Sequence, residues 1–87
     1  MAESNPGKVV YKQIATGKAG HPKTTFGALR VEHLLKCAQE CKDQLACQAF
    51  SFKAASGDCK LHFTTSDGIP EWQPQSNYGY ALFDLQF

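Results

Sequence analysis

The sequence predicts an α+β domain in which an antiparallel sheet of four to five strands cradles one central α-helix and is linked by disulfides. Three observations carry that expectation. Leu34, Cys37, Ala38 and Cys41 recur at i, i+3, i+4 and i+7, the apolar stripe of an amphipathic helix. Ala46–Lys53 and Asp58–Phe63 alternate with the period of strands, and no βαβ repeat of the kind a parallel sheet needs is present. Four cysteines lie between positions 37 and 59 of an 87-residue chain, which is short enough that covalent staples matter to stability.

Taken in order, 1–7 is polar, contains Pro6 and Gly7, and is expected to be disordered. Lys8–Ile14, rich in β-branched and aromatic residues, predicts a first strand, and Ala15–Lys23, with Gly17, Gly20 and Pro22, predicts a loop. Thr24–Leu29 predicts a short strand leading into the helix, Val31–Asp43, whose start lacks a good Ser, Thr, Asp or Asn cap. Ala46–Lys53 places Gln48, Phe50 and Phe52 on one face and Cys47, Ala49 and Ser51 on the other. Ala54–Gly57 is a turn, and Asp58–Phe63 returns with Cys59, Leu61 and Phe63 opposite Lys60 and His62. Thr64–Asn77 is a polar loop holding Trp72, and Tyr78–Phe87 predicts the last strand. Phe50, Phe52, Phe63, Phe83 and Leu85 are the expected core.

Cys37 and Cys41 face the core from one helix, so each reaches a different neighbouring segment. Two pairings remain open: Cys37 to Cys59 with Cys41 to Cys47, or Cys37 to Cys47 with Cys41 to Cys59. Loop entropy gives about 3.4 and 2.4 kcal/mol for the first and about 2.8 and 3.2 for the second, too close to decide. A zinc site of Cys37, Cys41, Cys59 and His62 is the competing use. Residues three apart on a strand point to opposite faces, which separates Cys59 from His62 and leaves Cys47 without a role. No metal site is expected.

The segment Cys37-Ala-Gln-Glu-Cys41-Lys-Asp-Gln-Leu-Ala-Cys47-Gln-Ala-Phe50-Ser-Phe52, followed by Asp58-Cys59-Lys60-Leu61, resembles the PAN/apple module over Glu32–Phe63. The resemblance implies a curved antiparallel sheet around one helix, with Cys37 paired to Cys59 and Cys41 to Cys47. Apple modules usually carry a third disulfide between the first and last strands. Neither Lys8–Ile14 nor Tyr78–Phe87 contains a cysteine, which implies the four-cysteine PAN subtype, with terminal strands held by pairing and packing and expected to exchange amide hydrogens faster than the helix. In its finer features the chain is most similar to apple modules of apicomplexan microneme adhesins.

Composition narrows the function. A net charge of +1 argues against a nucleic-acid partner, and no apolar stretch approaches the roughly 20 residues that span a bilayer, so membrane insertion is not expected. Met1–Lys12 lacks the basic-then-apolar pattern of a secretory signal, and 1–87 is expected to be a single module cut from a longer, multi-module secreted protein. His21, His33 and His62 are scattered, as surface histidines usually are, and no G-x-S-x-G nucleophile elbow accompanies them. No catalytic residue and no cofactor are therefore expected. Residues 1–30 carry a balance of +4, which makes Lys8, Lys12 and Lys23 candidates for an acidic partner or a sulfated glycan. Trp72, Tyr78 and Tyr80 are candidates for a protein interface or a sugar-stacking face.

These features and the resemblance together predict an extracellular, non-enzymatic binding module for adhesion or complex assembly. It would recognise protein or carbohydrate on a cell surface, sit beside neighbouring modules of the same chain, and be secreted, with storage in an organelle such as the microneme. The alternatives are a protein-docking apple module of a secreted serine protease zymogen and a reduced zinc-binding module.

Overall fold

The structure, a computed structural model, describes residues 9–69 and 73–86. The predicted disordered start at 1–7 lies outside them. Five strands form one antiparallel sheet in the order β1-β5-β3-β4-β2, built from β1 (Val10–Ala19), β2 (Thr25–Arg30), β3 (Ala49–Lys53), β4 (Asp58–His62) and β5 (Gln75–Gln86). One helix, α1 (Leu34–Asp43), lies against one face. A 3-10 turn, Pro22–Thr24, links β1 to β2. This is the α+β architecture expected from the sequence, with the helix stripe buried through Cys37, Ala38 and Cys41.

The core between helix and sheet is continuous. Phe50, Phe52, Cys59, Leu61, Phe83 and Leu85 meet the helix residues there, and Tyr11 completes an aromatic cluster. Its ring stands edge-on to Phe50 at 5.6 Å and to Phe83 at 5.7 Å, while Phe50 and Phe83 stack at 5.2 Å. Such geometries avoid face-to-face repulsion between ring quadrupoles. Cys37 joins Cys59 and Cys41 joins Cys47, so one bond ties the helix to the start of β4 and the other closes the turn that leaves the helix.

Several boundaries differ from expectation for local reasons. The helix starts at Leu34 instead of Val31, because His33 is extended (φ −157°, ψ 168°) and provides no side-chain cap. Val31 is instead tied to the β3–β4 turn by its N–H, which donates to Gly57 O at 2.9 Å. The expected loop Ala15–Lys23 is largely strand: irregularities between Gln13 and Ala15 and between Thr16 and Lys18, with Gly17 at φ +70°, keep β1 paired as far as Ala19 opposite Gln75. That pairing also draws the start of β5 back from Tyr78 to Gln75. β3 starts at Ala49, since the Cys47 N–H donates to Gln44 O and leaves Ala46 and Cys47 in the turn.

Burial corrects three further expectations. Phe63, expected in the core, is 38 % exposed, because β4 ends at His62 and leaves Phe63 beyond the strand. His62, expected at the surface, is 1 % exposed. In β3 the predicted alternation gives way to four consecutive buried residues, Ala49–Phe52, because this central strand is covered by the helix on one face and by the Gly20–Thr24 segment on the other.

Candidate functional site

Opposed residues of an antiparallel sheet share a face, so the pairing register defines the surface away from the helix. One row across it is Tyr80, Lys53, Asp58 and Arg30; the next is Leu82, Ser51, Lys60 and Ala28; the third is Lys12, Asp84, Ala49, His62 and Thr25. The helix and both disulfides lie on the other side.

Tyr80 anchors the first row. Its ring is 6 % exposed, with Lys60 Nζ 5.0 Å and Lys53 Nζ 5.8 Å from the ring centroid. Its hydroxyl donates to Asp58 Oδ2 at 3.2 Å, and Arg30 Nη2 lies 3.5 Å from Asp58 Oδ1. Burial, and then the bonded Asp58 carboxylate, raise the phenol pKa above its ordinary value and keep Tyr80 a neutral donor. The lysines gain cation–π attraction from the ring, which leaves their charge unneutralised. Gly79, at φ +87°, admits the Lys53 stem: a Cβ there would stand 3.1 Å from Lys53 Cε.

A small cleft adjoins this patch, lined among others by Gly20, His21, Thr24, His62, Thr64 and Leu82. Beneath it His62 Nε2 lies 2.7 Å from Ser51 Oγ, which accepts the Gly20 N–H at 2.9 Å. His62 Nδ1 lies 3.2 Å from Thr24 Oγ1 and 3.1 Å from Thr25 Oγ1. Thr24 commits its own hydroxyl proton to His21 O at 2.7 Å. One proton assignment gives these groups donors and acceptors in sequence: Ser51 donates to Nε2, and Nδ1–H donates to the threonine hydroxyls. Burial, with the Lys60 charge as a lesser cause, lowers the His62 pKa to about 4, so the ring is neutral at physiological pH.

A serine beside an imidazole invites comparison with a nucleophile and its base. Ser51 is fully buried, however, and Nδ1 meets hydroxyls where a catalytic imidazole would meet an orienting carboxylate. The network's role is to fasten the Gly20–Thr25 segment over the sheet. The zinc alternative fails on bonding: the cysteines it needs are held in disulfides, and His62 and Cys59 occupy opposite faces.

The candidates from the sequence are only partly brought together. Lys8 and Trp72 lie outside the described residues. Lys12 is on edge strand β1, while Lys23 sits two residues before Thr25 on the opposite edge strand. Four spacings of about 4.8 Å put roughly 19 Å between those edges, so Lys12 and Lys23 do not form one patch. Tyr78 is 94 % exposed beside the covered Tyr80, whose ring offers no open stacking surface. The converging cations, Lys53, Lys60 and Arg30, are not legible in a count of charge along the chain, because residues 31–60, with Lys53 and Lys60, balance to zero and Arg30 falls in the separate balance of residues 1–30. The signal that could have found them is the hairpin itself, since β3–β4 pairing sets Lys53 and Lys60 on one face.

Comparison with known proteins gives one match: the family model described as the PAN domain covers residues 11–87. No curated protein matches the chain, and no solved structure does.

Proposed function

The chain belongs to the PAN domain family, and from that premise we propose that it is an adhesion or complex-assembly module that holds a ligand on a cell surface through its helix-free sheet face. PAN domains are protein- or carbohydrate-binding modules and are generally non-catalytic. Two disulfides in a domain this small fit an extracellular or secreted setting, where thiols stay oxidised. Neighbouring modules of the same chain and storage in an organelle such as the microneme belong to the same proposal.

The observation that carries the reading is the division of labour between the two faces. Helix, disulfides and aromatic core occupy one, while the other presents Lys53, Lys60 and Arg30 beside the small cleft. A rigid sheet clamped from behind presents those groups with little ordering cost on binding. Attachment of the fluorescently labelled chain to cultured cells tests it. Lys53→Glu with Lys60→Glu should abolish saturable attachment, and Lys36→Glu with Lys42→Glu, on the helix, should leave it intact. Loss only with the helix pair would move the binding face to the other side.

A further inference from the structure

The geometry points to an acid-opened strap: segment 20–25, which lies over β3 and β4 on the helix-free face, lifts from the sheet when the His62 ring takes up a second proton. This goes beyond the binding reading and does not depend on it. The strap is fastened at three points. The Gly20 N–H donates to Ser51 Oγ at 2.9 Å, Thr24 and Thr25 Oγ1 lie 3.2 and 3.1 Å from His62 Nδ1, and the Phe63 N–H donates to Thr24 O at 3.0 Å. Two of the three run through Ser51 and His62, whose Oγ and Nε2 stand 2.7 Å apart. The strap backbone also seals the ring, since a Cβ on Gly20 would stand 2.7 Å from it. Breaks in register flank the strap on both sides, between Thr16 and Lys18 in β1 and between Thr25 and Gly27 in β2, with Gly17 at φ +70° in the first. At such positions the chain bends without disrupting a regular ladder.

With the ring neutral, Ser51 spends its hydroxyl proton on Nε2 and Thr24 spends its own on His21 O. A proton on Nε2 makes Ser51 Oγ an acceptor from both the ring and Gly20. The Ser51 hydroxyl proton is then left without an acceptor among the described residues. No carboxylate offsets the new charge. On β4 the ring shares its face with Lys60, whose ammonium opposes protonation, and the strap itself brings His21 and Lys23. Across the sheet Asp84 of β5 lies beyond Ala49 with both oxygens bonded to Ser66, and Lys12 of β1 lies beyond Asp84. Lys53 of β3 adds a further cation on that face, and Arg30 of β2 is paired with Asp58. Burial and Lys60 together hold the closed ring near pKa 4 against an ordinary 6.5, and lifting the strap relieves the desolvation by admitting water. From those two values the open form gains about twentyfold on the closed one between pH 7 and pH 5. Lifting uncovers Ser51 and His62, together with Ala49 and Leu82, which line one small cleft with Gly20 and Thr24.

Amide hydrogen exchange of the full chain at pH 7 and pH 5, with and without about 1 M urea and corrected for the intrinsic rate at each pH, provides the test. Protection of the Gly20, Thr24 and Thr25 N–H groups should fall about twentyfold from pH 7 to pH 5 and should not respond to the urea. Cys37, Ala38 and Cys41 on the helix should stay better protected at both pH values and should respond to it, which separates a local opening from global unfolding. His21, whose Nδ1 accepts the Lys23 N–H at 3.0 Å, is the other titrating group on the strap. His21→Gln should leave the fall in place, and His62→Gln should abolish it. Strap amides that share the helix's protection and urea response overturn the proposal, as does protection unchanged between pH 7 and pH 5. Both of those results come from the wild type alone, whatever the folding of the variants. A fall that vanishes in His21→Gln or persists in His62→Gln overturns His62 as the trigger. Cell attachment at pH 7 reads the binding function separately, so either can fail while the other stands.

Discussion

Acidification should weaken this fold through one residue, and the size of the effect follows from where His62 sits. The folded protein holds the imidazole neutral down to about pH 4, whereas the unfolded chain takes up a proton below its ordinary value of 6.5. Between those values the unfolded state binds more protons. The stabilisation is therefore complete above pH 6.5 and is lost progressively as the pH falls toward 4. At ~1.4 kcal/mol per pH unit the total is about 3 kcal/mol, a large share of the stability of a small domain. His62→Gln keeps a polar side chain of similar reach but cannot titrate. It should cost about 1–3 kcal/mol at pH 7 through disruption of the Ser51 and Thr24 bonds. Urea unfolding of both proteins at intervals from pH 7.5 to 4.5 makes the comparison, and because His21 and His33 are present in both, their contributions cancel. The wild type should lose stability steeply below pH 6.5 while the variant changes far less over the same window. Parallel pH profiles, or a wild type that is flat to pH 4.5, would show that burial of His62 does not set the pH dependence.

Other outcomes follow from packing and connectivity. Gly20→Ala would place a Cβ 2.7 Å from the His62 ring, so it should destabilise by about 2 kcal/mol or more and lower the melting temperature by several degrees. Gly57→Ala should be at least as damaging, since position 57 has φ +80° and a Cβ there collides with the Val31 carbonyl. Replacing Cys37 and Cys59 by serine should cost more than replacing Cys41 and Cys47, about 3.4 against 2.4 kcal/mol from loop entropy, as read by urea midpoints. Amide exchange should be slow at Leu82–Leu85, because β5 is an interior strand, and faster along the irregular end of edge strand β1 near Thr16–Lys18.

That last outcome revises the expectation that both terminal strands are weak, and it illustrates how far the sequence could be read. The helix stripe, the β3–β4 hairpin and the alternation of Cys59 and Leu61 against Lys60 and His62 are local patterns, and each appears in the fold. Strand order is not local: nothing near Tyr78–Phe87 signals that β5 inserts between β1 and β3. The same applies to His62, whose partners Ser51 and Thr24 come from two separate segments. The candidate site is likewise not local. Counting charge along the chain favoured Lys8, Lys12 and Lys23, whereas convergence depends on register, which brings Lys53 and Lys60 to one ring.

In the proposed function the sheet face away from the helix is the one that meets ligand. Hydroxyl-radical footprinting of the chain attached to cultured cells, compared with the free chain, tests it. The largest protection is expected at Arg30, Lys53, Lys60 and Tyr80, with less at His21 and Thr64–Ser66. Protection clustered instead on the exposed helix side, at Leu35, Lys36, Lys42 and Leu45, would place the binding face there.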